Sequence, residues 1–254
     1  ALGVTLLENG TIHWNGSRQF FYPVGQHIRE YHLETNQLQF LFTGRFSSKR
    51  IDIIKICDVA VTSNGQFIAI SEVYRPNRGI LSIYDMETQV AHAHVRHEEV
   101  EKFISLSFST DGSFIAALGV GSQNNRILLW KMGRQVSPAG TITVSNTTTS
   151  ICFDPQNHYR LVIFGSPGIR SILVNTIDKV MKEIETEHTF EKYVFVPAVN
   201  GLLLASYENY LYVILGDTVV ETIQPLQTEK INFLRSVRNF VFIISTNKIH
   251  LYKA

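Results

Sequence analysis

The sequence predicts an all-β fold of the β-propeller type, and three observations lead there. Short runs rich in Ile, Val, Phe and Leu dominate, with few stretches long enough for a periodic helix. Asn-Gly and Asp-Gly turns punctuate these runs. Most telling is a unit written more than once: an apolar alternating run, a tight polar turn, a second apolar run, a loop, and a third run closed by an aromatic. Its two cleanest copies, Ile56 to Asp85 and Phe103 to Trp130, align Gly65 with Gly112 at a period of about 47 residues, in the range of a propeller blade.

The turn between first and second strand places the repeats in order, at Asn15-Gly16, Asn64-Gly65, Asp111-Gly112, Gln156-Asn157, Asn200-Gly201 and Arg238-Asn239. Their spacing of roughly 38 to 49 residues is that of blades joined by variable loops. Six blades are expected, at roughly 10–46, 51–97, 100–144, 147–188, 191–227 and 229–254. Together they form one propeller domain or a fragment of one. The sixth blade supplies only three strands, Ile231 to Leu234, Phe240 to Ile244 and Ile249 to Tyr252. An extra apolar run at 3–8, with Val4 to Leu7 at its centre, is a candidate closing strand for it. With that closure the ring has six blades; without it the chain is part of a larger ring. Asp178 to Glu187 and Gln89 to Lys102 admit a helix, and Lys179 to Glu185 is read as an outer strand although its residues favour helix. An immunoglobulin-type sandwich also has short, regularly spaced strands, but the recurring period and the lack of a paired cysteine framework disfavour it.

At 254 residues the chain is long enough for a sizeable core within one all-β domain. The balance of 23 basic against 22 acidic residues gives no general pull toward nucleic acid or an anionic membrane. No run reaches about 18 uninterrupted apolar residues, and the first residues lack a charged-then-apolar order, so a soluble chain is expected. Cys57 and Cys152 fall in opening strands of different, non-neighbouring repeats, which fits unpaired thiols and a reducing compartment. The triplets at Asn9, Asn15 and Asn146 have the glycosylation pattern and point toward a secretory route, but patterns this short arise by chance in turn-rich chains.

Asp111-Gly112 as the turn, Leu128-Leu129-Trp130-Lys131 where a Trp-Asp pair would stand, and Ile83-Tyr84-Asp85 with its aromatic and acid resemble WD-repeat propellers. No repeat keeps the usual Gly-His pair, and repeats five and six lack the terminal acid. A closer resemblance, carried by Phe21 to Ile28, Val59 to Glu72, Leu106 to Gly112, Ile151 to Gln156 and Gly119-Val120-Gly121, is to the cilia- and flagella-associated double-propeller proteins. That resemblance spans the whole chain in layout, with its specific residues mostly in the first four repeats. It implies a non-enzymatic scaffold of the motile cilium axoneme, a cytoskeletal structure, where it helps to anchor or regulate inner dynein arms on doublet microtubules. The partners it implies are other axonemal proteins within a larger complex: inner dynein arm components and coiled-coil or tubulin surfaces, with no nucleic acid and no membrane. The alternatives are a general cytoplasmic WD-repeat adaptor, such as a ubiquitin-ligase or trafficking scaffold, and a propeller hydrolase or lyase.

No Gly-x-Ser-x-Gly elbow, phosphate loop or His-Glu-x-x-His segment occurs, and no catalytic residue, cofactor or metal is expected. Gly119-Val120-Gly121 lies between two strands and opens no helix, so it reads as a turn. His92, His94 and His97 are the only ligand-like cluster; strand alternation would place His92 and His94 on one face, at ligand spacing. No Cys or close carboxylate completes that set. The productive feature is basic. Blade-to-blade loops and second-to-third-strand loops emerge on one face of a propeller, which brings together Arg45, Lys49, Arg50, Arg75 and Arg78 as a candidate grip on an acidic surface, weakened by salt.

Overall fold

A computed structural model describes residues 13–14, 19–24, 27–41, 53–76, 78–165, 168–174, 181–184, 190, 192–196, 202–216, 218–224, 230–237, 240–245 and 248–253. The candidate closing strand at 3–8 and the turns at Asn15-Gly16, Asn200-Gly201 and Arg238-Asn239 lie outside the described residues. No helix occurs among those described, and every sheet is an antiparallel meander of consecutive strands. The fold is a β-propeller of the WD-repeat type, and the chain divides into two units, Ala1–Asn146 and Thr147–Ala254.

The first unit holds three four-stranded blades. Blade 1 is β1 (His13–Trp14), β2 (Gln19–Val24), β3 (His27–His32) and β4 (Gln37–Leu41). Blade 2 is β5 (Ile53–Val61), β6 (Phe67–Tyr74), β7 (Arg78–Asp85) and β8 (Ala91–Val95). Blade 3 is β9 (Lys102–Phe108), β10 (Phe114–Val120), β11 (Asn125–Lys131) and β12 (Ser137–Val144). The Gln89 to Lys102 stretch is therefore strand and loop. The second unit holds blade 4, with β13 (Thr148–Asp154), β14 (Asn157–Gly165), β15 (Ile169–Leu173) and β16 (Met181–Ile184), so the helix-favouring segment around 181–184 is an outer strand paired to β15. Sheet pairing overrides the local preference there. Blade 5 is β17 (Lys192–Phe195), β18 (Leu202–Tyr207), β19 (Tyr210–Leu215) and β20 (Thr218–Ile223). Blade 6 has three described strands, β21 (Phe233–Val237), β22 (Phe240–Ile244) and β23 (Ile249–Lys253).

The repeated turn has one geometry in both clean copies. Gly65 and Gly112 take φ of 72° and 71°, a left-handed conformation that only glycine adopts at little cost. Thr62 and Ser109 close the turn identically, donating their backbone N–H to the carbonyls of Phe67 and Phe114 at 2.9 Å and accepting the return bond on their hydroxyls at 2.9 Å. Asn64 and Asp111 each accept a backbone N–H two residues on, at 3.0 Å.

Alternation gives the sheets apolar faces, and within each unit neighbouring blades pack such faces together. Phe21, Ile28 and Leu41 of blade 1 meet Val59, Ile68, Ile70 and Tyr84 of blade 2. Leu81 and Ile83 of blade 2 meet Phe103, Ile115, Leu128 and Trp130 of blade 3, with the Phe103 and Trp130 rings edge to face at 6.2 Å. The aromatics that close the repeat, Tyr84 and Trp130, are thus seam residues, each turned toward the preceding blade. In the second unit Val162 and Phe164 meet Leu203, Ala205 and Ile214, with Phe164 stacked on Tyr193, and Leu204 and Leu211 meet Ile231, Leu234, Val241 and Ile243.

Several polar groups buried in these seams are paired. Leu106 N donates to Asp58 Oδ2 at 2.7 Å and Ser71 Oγ to the Phe103 carbonyl at 2.6 Å, so β5 and β6 are clasped to β9. Glu72, only 1% exposed, accepts from Ser82 Oγ at 2.6 Å and Tyr74 OH at 3.2 Å. Since the Ser82 hydrogen goes to Glu72, His94 Nδ1 at 2.9 Å from Ser82 Oγ is the donor to it. In blade 4 the buried pair Asp154 and Arg160 lies at 2.8 Å, and Arg160 also donates to the Gly216 carbonyl at 2.6 Å, tying blade 4 to a turn of blade 5.

Candidate functional site

Of the five basic residues expected to converge, Arg75 and Arg78 are described; Arg45, Lys49 and Arg50 lie outside the described residues. Arg75 and Arg78 flank the loop between β6 and β7, where Arg78 is paired in register with Tyr74. Both side chains are exposed, and neither has an ion pair or side-chain hydrogen bond among the described residues.

What surrounds this loop follows from three close backbone approaches. A Cβ on Gly79 would come within 2.9 Å of Lys102 Cα, so the start of β7 lies directly against the start of β9. A Cβ on Gly121 would sit 2.2 Å from the Glu99 carbonyl oxygen, and one on Gly119 would reach the Val100 methyls at 2.6 Å. The connection from blade 2 to blade 3, residues 96–101, is therefore packed between two hairpin ends, with Val100 buried as its anchor and Glu101 N bonded to the Val120 carbonyl at 2.8 Å. Gly119 and Gly121 serve backbone packing; the segment read as a turn is in part strand, since Gly119 and Val120 end β10, paired with Phe103 and Lys102, and only Gly121 lies beyond it.

That packing brings an unforeseen set of charges to the same end of the unit. Arg96, Glu98, Glu99 and Glu101 are exposed along the connection, and Glu99 is paired with Arg126 at 2.6 Å. The Arg75 and Arg78 pair thus stands beside an acidic loop, and the described part of the surface is mixed in sign. It favours a partner that offers carboxylates over the hairpin and cations over the connection, recognition that sets orientation and on-rate more than affinity. Sequence reading missed the acidic half because only the glycine contacts show that 98–101 folds against the Arg78 hairpin.

The histidines do not form a ligand set. A bulge between Ile83 and Tyr84 makes His92 the extra residue of β8, since Ala91 pairs with Tyr84 and Ala93 with Ile83. The alternation expected from sequence is broken there, and the two rings leave on opposite faces. His92 packs on Phe67 at 5.0 Å and lies 2.9 Å from the Gly133 carbonyl, while His94 meets Ser82 and the edge of Tyr84. His97 Nδ1 accepts the Glu99 N–H at 3.3 Å. Among the described residues no three His, Cys, Asp or Glu side chains converge as metal ligands.

Cys57 and Asp85 are displaced from their ordinary behaviour. Burial pushes the Cys57 thiol, the extra residue of a bulge in β5, above its ordinary value of 9.0. The Thr88 backbone N–H and hydroxyl, at 2.8 and 2.9 Å, hold the Asp85 carboxyl below its ordinary 3.8. Both cysteines are free, and the Asn146 amide is held within its loop, accepting from Asn125 N and donating to the Gln123 carbonyl, each at 2.9 Å.

No protein-family model matches this chain, and no curated protein matches it. Solved structures do. The chain is similar to the Cps50 (Swd1) β-propeller domain of Myceliophteria thermophila, with a TM-score of 0.63 and 15% identity over 80% of this chain and 68% of that one. It is similar also to a chain of the mitotic checkpoint complex, with a TM-score of 0.53 and 10% identity over 96% of this chain and 86% of that one. At such identities the likeness shows the fold, a WD-type propeller.

Proposed function

We propose that this chain is a non-enzymatic protein-interaction scaffold, and that its setting is the axoneme of a motile cilium or flagellum. The observation that carries the scaffold reading is the loop end of blades 2 and 3. There Arg75 and Arg78 stand exposed on a rigid frame with no partner among the described residues. Binding residues are commonly presented this way, on loops positioned by a rigid scaffold. The axonemal setting is supported by the resemblance in the first four repeats, which is greatest to cilia- and flagella-associated protein 57. In this reading the chain helps to anchor or regulate inner dynein arms on doublet microtubules, and Arg45, Lys49 and Arg50 join Arg75 and Arg78 in gripping an acidic tubulin tail or acidic coiled coil.

Crosslinking mass spectrometry on intact axonemes tests this directly. The expected result is crosslinks from Lys49, Lys55 and Lys102, beside the basic loops, to dynein-arm, coiled-coil or tubulin carboxylates. Recovery of the chain in ubiquitin-ligase or coat assemblies, with none from axonemes, would replace this reading by that of a general adaptor.

A further inference from the structure

The hairpin that joins β11 to β12 closes the end of blade 3 opposite the Arg78 loop: Lys131 pairs with Phe114, beside the Asp111-Gly112 turn, whereas Val120 and Lys102 pair at the other end. Its base is pinned. Met132 N donates to the Ser113 carbonyl at 2.8 Å, and the His92 ring of blade 2 lies 2.9 Å from the Gly133 carbonyl. Beyond that base the chain emerges from the fold: Gly133, Arg134, Gln135, Ser137 and Pro138 are exposed, and Val136 is half-buried against the core. Ser137 and Pro138 are neighbours on a strand and point to opposite faces, so the exposure of both brings the start of β12 to the surface on each side.

The ladder is interrupted at this start. Pro138, opposite Trp130, has no N–H to give to β11, and a bulge skips Ala139 in the register before Gly140 meets Leu129. Residues 134–139 can therefore be drawn out in extended form while β11 keeps its pairs with β10. Two cations flank the serine. Register sets Lys131 directly opposite Ser137, with Cβ atoms about 5 Å apart, and Arg134 lies in the loop between them. Lys131 and Arg134 are exposed, and neither has an ion pair or side-chain hydrogen bond among the described residues. Asp111, in the adjoining turn, is engaged with Ser109 Oγ at 2.7 Å and Ser113 Oγ at 2.8 Å.

We propose that Ser137 is a phosphorylation site, the acceptor of a proline-directed protein kinase, and that Lys131 and Arg134 hold the phosphate once it is attached. In the transfer the Ser137 hydroxyl oxygen forms the new bond to the γ-phosphorus of ATP and the bond from that phosphorus to the β–γ bridging oxygen breaks. ADP leaves, and the hydroxyl proton passes to the catalytic base of the kinase. The phosphate adds about −1.5 to −2 charge at neutral pH, so a corner that carries two cations becomes nearly neutral. Charge-assisted hydrogen bonds then tie the end of β11 and the loop to the start of β12. The mark lies at the end of blade 3 away from Arg75 and Arg78 and goes beyond the scaffold reading. One other Ser-Pro step, Ser166-Pro167, occurs in the chain and lies outside the described residues.

The folded chain is incubated with MgATP and a mitogen-activated protein kinase, and the product is mapped by tandem mass spectrometry. The expected result is phosphate on Ser137, absent from the Ser137→Ala variant, at no less than about a tenth of the rate seen for a synthetic peptide of residues 131–141, since the strand start opens readily. Phosphorus NMR over a pH series then reads the second ionisation of the phosphate. Its midpoint should lie about half a unit lower in the native chain than in the Lys131→Gln/Arg134→Gln variant, because two nearby cations favour the dianion. Near-UV circular dichroism confirms that each variant keeps the fold. Phosphate confined to other residues, or modification of the peptide with none of the folded chain, would overturn the site. Equal midpoints in the native chain and the double variant would overturn the role of the two cations. These readouts involve neither doublet microtubules nor the Arg75 and Arg78 loop, so this inference and the functional reading fail separately.

Discussion

The seam between blades 2 and 3 and the seam between blades 5 and 6 are built on the same apolar sandwich but are fastened differently. The first adds three aromatic rings, Phe103, Phe108 and Trp130, and a row of polar clasps: Asp58 to Leu106 N, Ser71 to the Phe103 carbonyl, and Ser63 to the Thr110 carbonyl at 2.5 Å. The second is aliphatic, with Leu204, Leu211, Ile231, Leu234, Val241 and Ile243, and has the bond from Ser236 Oγ to the Phe195 carbonyl and one from Ile231 N to the Glu208 carbonyl at 2.9 Å. Apolar alternation alone is enough to place one blade on the next. Directional clasps fix the offset between blades, and between blades 2 and 3 they run from the β5–β6 turn at Ser63 along the strands to Ser71.

The widest test of that contrast is truncation in each seam. Phe103→Ala should cost about 3–5 kcal/mol in urea unfolding, and Leu211→Ala about 2–4 kcal/mol, the difference being the lost aromatic packing. Equal losses would dissolve the comparison. Next in size is the clasp itself: Asp58→Ala leaves the buried Leu106 N–H without its acceptor and should cost about 1–3 kcal/mol, against about 0.5–1.5 kcal/mol for Ser236→Ala. Hydrogen exchange at Leu106 should accelerate in the Asp58 variant, whereas an unchanged rate there would mean the clasp contributes nothing.

Smaller effects sharpen the picture at single groups. Cys57 has a raised folded value, so the protonated thiol favours the folded state fully below its ordinary 9.0, a preference lost as pH climbs through the raised value. Its alkylation at pH 8 should therefore be slower in the folded chain than in urea, and an equal rate would place the thiol in solvent. Asp85 has the opposite sign: its contribution is present above the ordinary carboxylate value of 3.8 and fades as pH falls through the lowered folded value. Thr88→Val should raise the Asp85 titration midpoint toward ordinary, as read by carbon-detected NMR; no movement would mean that the Thr88 hydroxyl contributes nothing.

Much of the blade pattern was legible in the sequence because it is local. Gly65 and Gly112 mark turns whose geometry a left-handed residue requires, and Tyr84 and Trp130 close strands at equivalent places. What escaped is non-local. The bulge at His92 depends on pairing with β7, and it turned an apparent ligand face into two separate rings. The Asp58 clasp reaches a backbone N–H 48 residues away, and the Asp154 and Arg160 pair acts through a carbonyl 56 residues beyond Arg160. Arg75 and Arg78 were legible as loop charges; the acidic connection beside them became visible only through the closeness of Gly79 and Gly121 to residues 99–102.

The central claim, that the basic loop of this propeller grips an acidic axonemal surface, is tested most directly by cosedimentation of the chain with isolated doublet microtubules over a salt series. The account predicts binding that weakens as salt rises and falls at least about tenfold in the Arg75→Glu/Arg78→Glu variant at low salt. Binding of the reversed variant equal to that of the native chain, or no binding by either at low salt, would contradict it.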